Sequence, residues 1–222
     1  MRTPVLVVNF KAFPEALGAK GFRLAEVCAK VTEETGASIA VAPTTPDLAA
    51  IAKRVRIPVL AQHVDGIDPG ERTGWTPPEA ILAAGGAGTL LNHSERKLPR
   101  GEMAATVKRC ADLGLEVVCC ADDLREAETC AKLGPEFLAI EPPELIGGRV
   151  SVTSAKPEVV STAVDRVRAV NPRVQVLCGA GVKGRADVRR AIDLGTAGVL
   201  VASGVVRAKD PAKAVRDLAR GL

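Results

Sequence analysis

The 222 residues include 47% hydrophobic and 25% charged side chains, a globular balance that excludes disordered, collagen-like and mucin-like chains. Aromatic residues make up only 2%, with Trp75 alone and no tyrosine, too few for a base-stacking nucleic-acid module. The net charge of +4 is spread without a polybasic run and suits an anionic small molecule better than a nucleic-acid surface.

The first apolar run, Val5 to Phe10, contains Asn9 and is ended by Lys11. It is too short and too polar for a secretory signal, and no stretch of about 20 apolar residues follows, so no membrane span is expected. A charged helical segment carrying Phe22, Ala25, Val27, Ala29 and Val31 ends at Gly36. Next come a strand at Ser38 to Ala42, a helix at Asp47 to Val55, a strand at Pro58 to Gln62 and a helix at Pro78 to Ala84. The pattern continues with a strand at Thr89 to Leu91, a helix at Gly101 to Leu113, a strand at Glu116 to Ala121 and a helix at Asp123 to Leu133. It closes with strands at Phe137 to Ile140, Val174 to Cys178 and Gly198 to Val201, separated and followed by helices at Glu158 to Val170, Ala186 to Leu194 and Pro211 to Arg220.

The strand runs are continuously apolar rather than alternating, as in parallel sheets covered on both faces. Pro78, Pro157 and Pro211 suit first helical turns, Asp122 and Asp210 suit N-caps, and Gly36, Gly114, Gly134 and Gly195 suit helix C-termini. Eight uninterrupted βα units predict one domain over residues 1–222, a closed (β/α)₈ barrel shorter than the usual length of about 250 residues. An open doubly wound sheet is the alternative, weakened by the lack of a G-x-G-x-x-G after the first strand. The six cysteines form no C-x-x-C pair and read as reduced thiols of a cytosolic protein.

A parallel barrel carries its chemistry beyond the C-terminal ends of its strands. Asn9 and Lys11 fall there in the first unit, Asn92-His93-Ser94-Glu95 in the fourth and Glu141 in the sixth. Gly179-Ala180-Gly181 and Ala202-Ser203-Gly204 end the seventh and eighth. Taken singly, each has a bland reading: a polar strand end, a hydrogen-bonded histidine, a loop carboxylate, a turn glycine. Together they supply a cation, an imidazole, a carboxylate and two small-residue loops where a phosphate can meet backbone N–H groups. That set suits proton transfer next to a carbonyl. With only His63 and His93 and no H-x-x-x-H spacing, neither a metal cage nor a cofactor is expected.

Five motifs in order, Asn9-Phe10-Lys11, Asn92-His93-Ser94-Glu95-Arg96, Glu141 to Gly147, Cys178 to Val182 and Val201 to Gly204, resemble the triosephosphate isomerase family, nearly end to end and in its short archaeal form. The resemblance implies isomerisation of D-glyceraldehyde 3-phosphate and dihydroxyacetone phosphate, in glycolysis and gluconeogenesis. It implies Glu141 as base, His93 as electrophile, Lys11 as substrate cation and Asn9 as orienting group. Ile146, Gly147, Gly181, Ala202 and Ser203 match positions that hold phosphate, and Glu95 matches a carboxylate expected beside Lys11. A lid is implied at Glu141 to Ala155, with Pro142-Pro143 stiffening its hinge. The chain departs from the family at Gly148-Arg149, where threonine-glycine is expected, and at Gly181, where many relatives outside the archaeal form carry serine. Thr73-Gly74 matches a loop that reaches a neighbouring subunit, and Trp75 beside it reads as an interface anchor. A homo-oligomer follows, with a tetramer favoured and a dimer possible. A metal-dependent phosphate-binding epimerase and a non-catalytic phosphate-binding barrel are the competing readings. The first needs metal ligands that two histidines do not supply, and the second has no need to retain base, electrophile and cation together.

Overall fold

The computed structural model describes residues 1–142 and 157–222. Eight parallel strands, β1 (Val5–Asn9), β2 (Ser38–Ala42), β3 (Leu60–Ala61), β4 (Gly88–Leu91), β5 (Glu116–Ala121), β6 (Phe137–Ile140), β7 (Gln175–Cys178) and β8 (Gly198–Val201), lie in the order β2-β1-β8-β7-β6-β5-β4-β3. A single bridge between Val41 and Val59 brings the two ends of that order together. The architecture is therefore a nearly closed (β/α)₈ barrel in a single domain, and the open-sheet alternative is set aside.

The helices are α1 (Ala19–Thr35), α2 (Thr45–Ala52), α3 (Pro78–Ala83), α4 (Arg100–Asp112), α5 (Leu124–Leu133), α6 (Pro157–Val170), α7 (Arg185–Asp193), α8 (Ser203–Val206) and α9 (Pro211–Ala219). They cover the sheet from outside. Val5 and Val7 of β1, Leu60 of β3, Leu90 of β4, Leu177 of β7 and Leu200 of β8 fill the barrel interior. Leu6 and Val8 of β1, with Ile39, Leu91, Leu138 and Val199, face the helices. Apolar side chains on both faces explain why the strands read as unbroken runs.

Helix ends follow local rules. Pro78, Pro157 and Pro211 each open a helix. Asp210 accepts from the Lys213 N–H at 2.9 Å as expected. The cap of α5 is Asp123 rather than Asp122, because only Asp123 stands three residues before the Glu126 N–H it accepts, at 2.8 Å. Gly36 and Gly134 end α1 and α5 in the left-handed conformation that a Cβ disfavours. β3 is shorter than the Pro58 to Gln62 run. Pro58 has no N–H for the ladder, and Val59 meets β2 only through the bridge to Val41, while its carbonyl accepts from the Ala87 N–H at 2.8 Å. No helix among the described residues is long and apolar enough to cross a membrane.

Candidate active site

Side chains alternate along a strand. Carrying the inward alternation past Val7, Leu60, Ala139, Leu177 and Leu200 reaches Asn9, Gln62, Glu141, Gly179 and Ala202 at the C-terminal mouth. A cleft of about 600 Å³ opens there. Asn9, Lys11, His93, Glu95, Glu141, Gly181, Ala202 and Ser203 all line it. Ile146, Gly147, Arg149 and the rest of the expected lid beyond Pro142 lie outside the described residues. Thr73, Gly74 and Trp75 stand apart from the cleft, exposed in the segment between β3 and α3.

Lys11 follows β1 with a left-handed backbone (φ 48°), an uncommon state for a non-glycine residue. Three contacts hold it. Its N–H donates to Asn9 Oδ1 at 2.9 Å, its carbonyl accepts from Gln62 Nε2 at 3.0 Å, and its ammonium donates to Glu95 Oε1 at 2.7 Å. The same Gln62 nitrogen also donates to the Ala42 carbonyl at 2.9 Å. The Lys11 side chain is mostly covered while Glu95 is open to solvent. The pair therefore serves to place the cation more than to stabilise the fold.

His93 is buried just beyond β4. Its Nδ1 receives the Glu95 backbone N–H at 3.1 Å. A backbone N–H can only donate, so Nδ1 is the bare nitrogen and the neutral ring carries its proton on Nε2. Burial, aided by the Lys11 charge, lowers the imidazole pKa below its usual value. The ring is then a neutral hydrogen-bond donor near pH 7, with Nε2 3.7 Å from Glu141 Oε2. That gap is too long for a hydrogen bond and leaves both groups available to a third.

Glu141 is 3% exposed, and its Oε2 has no hydrogen-bond partner among the described residues. Burial pushes its pKa up to about 7, while the Cys120 thiol beside it and the Lys11 charge act in the opposite direction. Its backbone N–H donates to the Ala121 carbonyl at 2.8 Å, tying it to the β5 end. A Cβ on Gly179 would lie 2.3 Å from Glu141 Cγ, so the missing side chain is the space that the carboxylate occupies. Across the cleft, α8 begins at Ser203. The N–H groups of a first helical turn lack carbonyl partners, and Ser203 and Gly204 line the cleft there.

Sequence reasoning missed Gln62 and Cys120. The alternation was the available signal for both: each is the last inward residue of its unit, and Cys120 follows Val118 into the barrel interior. Cys119 faces the helices instead, in contact with Cys130. Among the described residues, no group of three or more His, Cys, Asp or Glu side chains is placed to hold a metal ion. The geometry supplies one poised carboxylate, one neutral imidazole donor and one fixed cation around a common space.

A sequence profile of triosephosphate isomerase matches residues 4–218. The triosephosphate isomerase of Methanosarcina barkeri is 46% identical over 220 residues, covering 99% of each chain. That of Methanobacterium bryantii is 46% identical, over 97% of this chain and 96% of its own. That of Methanocaldococcus jannaschii is 45% identical, over 96% of this chain and 98% of its own.

Proposed function

The chain belongs to the triosephosphate isomerase family, and from that premise we propose how its own residues carry the reaction. The activity is the reversible interconversion of D-glyceraldehyde 3-phosphate and dihydroxyacetone phosphate, an isomerisation that belongs to glycolysis and, run in reverse, to gluconeogenesis. Glu141, ionised, takes the proton from the carbon beside the carbonyl. His93 donates its Nε2 hydrogen bond to the carbonyl oxygen, where negative charge gathers in the enediolate. Glu141 then returns the proton to the neighbouring carbon while the hydroxyl proton passes from one oxygen to the other beside His93 Nε2, so substrate and product differ only in where hydrogen sits. Lys11 offsets the substrate charge, and Asn9 orients the substrate and braces the Lys11 backbone. Gly181, Ala202 and Ser203 hold the phosphate through backbone N–H groups, and Ile146 and Gly147 are assigned to the same task from the sequence motif. No metal ion or cofactor takes part in these steps.

The observation that carries this reading is the pairing of a buried Glu141, whose Oε2 has no hydrogen-bond partner among the described residues, with the Nε2 of a tautomer-fixed His93. A coupled isomerase assay across pH tests it. The base must be ionised, so kcat/KM should rise about tenfold per pH unit below about 7 and level off above. Burial holds the His93 pKa below its usual value, so a break from the imidazole falls on the acid side of the one from Glu141. A profile flat between pH 5.5 and 8 would remove Glu141 from the role of base. A chelator should leave the activity unchanged.

We also propose a cytoplasmic homo-oligomer. All six cysteines are buried and unpaired, which suits a compartment that keeps thiols reduced. The segment between β3 and α3 is tied back by the Asp65 N–H to the Thr76 carbonyl at 2.8 Å and by the Thr76 N–H to Asp65 Oδ2 at 2.7 Å. It presents Trp75 at 54% exposure. A groove of about 210 Å³ beside Lys11 and Glu95, lined also by Thr45, Gln62, His63 and Arg96, is the place for the Thr73-Gly74-Trp75 loop of a second copy. Dimers built this way pair into the favoured tetramer. Trp75→Glu should weaken association by at least about 30-fold, the equivalent of a hot-spot loss of about 2 kcal/mol. Sedimentation equilibrium reads the result, and an unchanged assembly mass at low micromolar concentration would count against this loop.

A further inference from the structure

Behind the reacting pair lies a second polar cluster. Asn92, the residue before His93, is 1% exposed and takes a left-handed backbone (φ 57°). Every hydrogen-bonding atom of its side chain is engaged. Nδ2 donates to the Cys120 carbonyl at 2.9 Å and to Glu126 Oε1 at 2.8 Å, and Oδ1 accepts from the Leu98 N–H at 3.0 Å. Glu126 Oε2 accepts from the Asp122 N–H at 2.7 Å and from Lys97 Nζ at 2.7 Å. Lys97 also reaches Asp122 Oδ1 at 2.8 Å.

Glu126 holds the third position of α5, after the Asp123 cap. A glutamate in that place ordinarily folds back onto the N–H of its own cap residue. Here it spans from the Asp122 N–H to Asn92, joining the loop after β5 to the loop after β4. The two loops it joins are those of the chemistry. One carries His93, and the other follows Cys120, whose thiol lies beside Glu141.

We propose that Glu126 is a positioning residue for the reacting pair: its carboxylate locks the Asn92 turn, and with it the His93 ring, against the end of β5. This rests on the reading of His93 and Glu141 as electrophile and base. Without Glu126, one N–H of the buried Asn92 amide and the Asp122 N–H lose their partners, and the Lys97 ammonium loses one of its two carboxylate contacts. The left-handed turn then has no fixed seat. A shift of about 1 Å at a reacting group costs about 10²-fold in rate.

The test compares Glu126→Leu and Glu126→Gln with the parent chain in steady-state kinetics and in nitrogen NMR of the two histidines. Glu126→Leu should lower kcat 10- to 100-fold with KM changed less than about twofold. The His93 nitrogens should move from a single tautomer toward a mixture. Glu126→Gln keeps an oxygen for Asn92, but its amide nitrogen can accept from neither the Asp122 N–H nor Lys97, so a smaller loss is expected. A folded Glu126→Leu chain with kcat within twofold of the parent and unchanged His93 signals would overturn the proposal. So would a loss of melting temperature alone, with kcat intact at 25 °C. Should the leucine variant not fold, an unaltered kcat in Glu126→Gln overturns the proposal equally. A parent chain without isomerase activity refutes the functional reading instead, and the His93 spectra then decide the positioning role without turnover.

Discussion

Glu141→Gln is expected to lower kcat by 10²- to 10⁴-fold, the usual contribution of a placed general base, and at the same time to stabilise the fold at pH 8. The two effects share a cause. Burial lifts the folded-state pKa of Glu141 from about 4.5 to about 7. Between those values the folded chain keeps a proton that the unfolded chain releases, so stability falls as pH rises through that window, and the penalty is complete above about 7. Its size is about 3 kcal/mol. Glutamine has no proton to lose and escapes the penalty. Denaturant unfolding at pH 4.5 and pH 8 should show the variant gaining on the parent only at the higher pH. Equal stability at pH 8, or an advantage confined to low pH, would contradict a buried ionised base.

Gly179→Ala should be nearly as damaging to turnover with no change to any ionisable group. The added methyl would lie 2.3 Å from Glu141 Cγ, 2.9 Å from Cδ and 3.0 Å from Oε1. Contacts that short cannot be tolerated, and the Gly179 backbone is held by its N–H bond to the Ile140 carbonyl at 3.0 Å. The carboxylate is therefore the part that moves. A displacement near 1 Å predicts a fall of about 10²-fold in kcat, and overpacking predicts a loss of about 1–3 kcal/mol in unfolding free energy. Gly101→Ala serves as the steric control, since its added methyl would meet nothing within 4 Å. Near-parental turnover in Gly179→Ala would mean that Glu141 has slack in its seat.

The fold was legible where one physical signal acted alone. Ser38–Ala42, Glu116–Ala121, Phe137–Ile140 and Gly198–Val201 coincide with their apolar runs residue for residue, because burial on both faces leaves no room for polar positions. β3 was overextended because Val59 and Gln62 suit a strand by composition while Pro58 cannot join the ladder. α8 has the sequence of a small-residue loop, since four residues are too few to show a helical period. Asp122 and Asp123 both suit a cap, and only the three-residue spacing to Glu126 separates them.

The site divides in the same way. Lys11, His93 and Glu141 stand out because a charged or titratable side chain interrupts an apolar strand at its end. Ala202 and Ser203 stand out only as members of a small-residue loop. Asn92 and Glu126 work through carbonyls and amides of distant loops, and no spacing along the chain reports such contacts. Cys120 sits within an apolar run, where a thiol passes for a core residue.

Around most of the barrel, neighbouring strands are joined by several paired residues, five of them between β1 and β2. Between β2 and β3 the backbone supplies one bridge, at Val41 and Val59. Above that bridge, on the side of the cleft, the Gln62 amide reaches the carbonyls of Ala42 and Lys11. A side chain thus acts there as the missing rungs of the ladder. The circle of strands is completed at its mouth by the same amide that holds the Lys11 backbone, so a joint with little backbone support is also the one on which the placement of that ammonium depends.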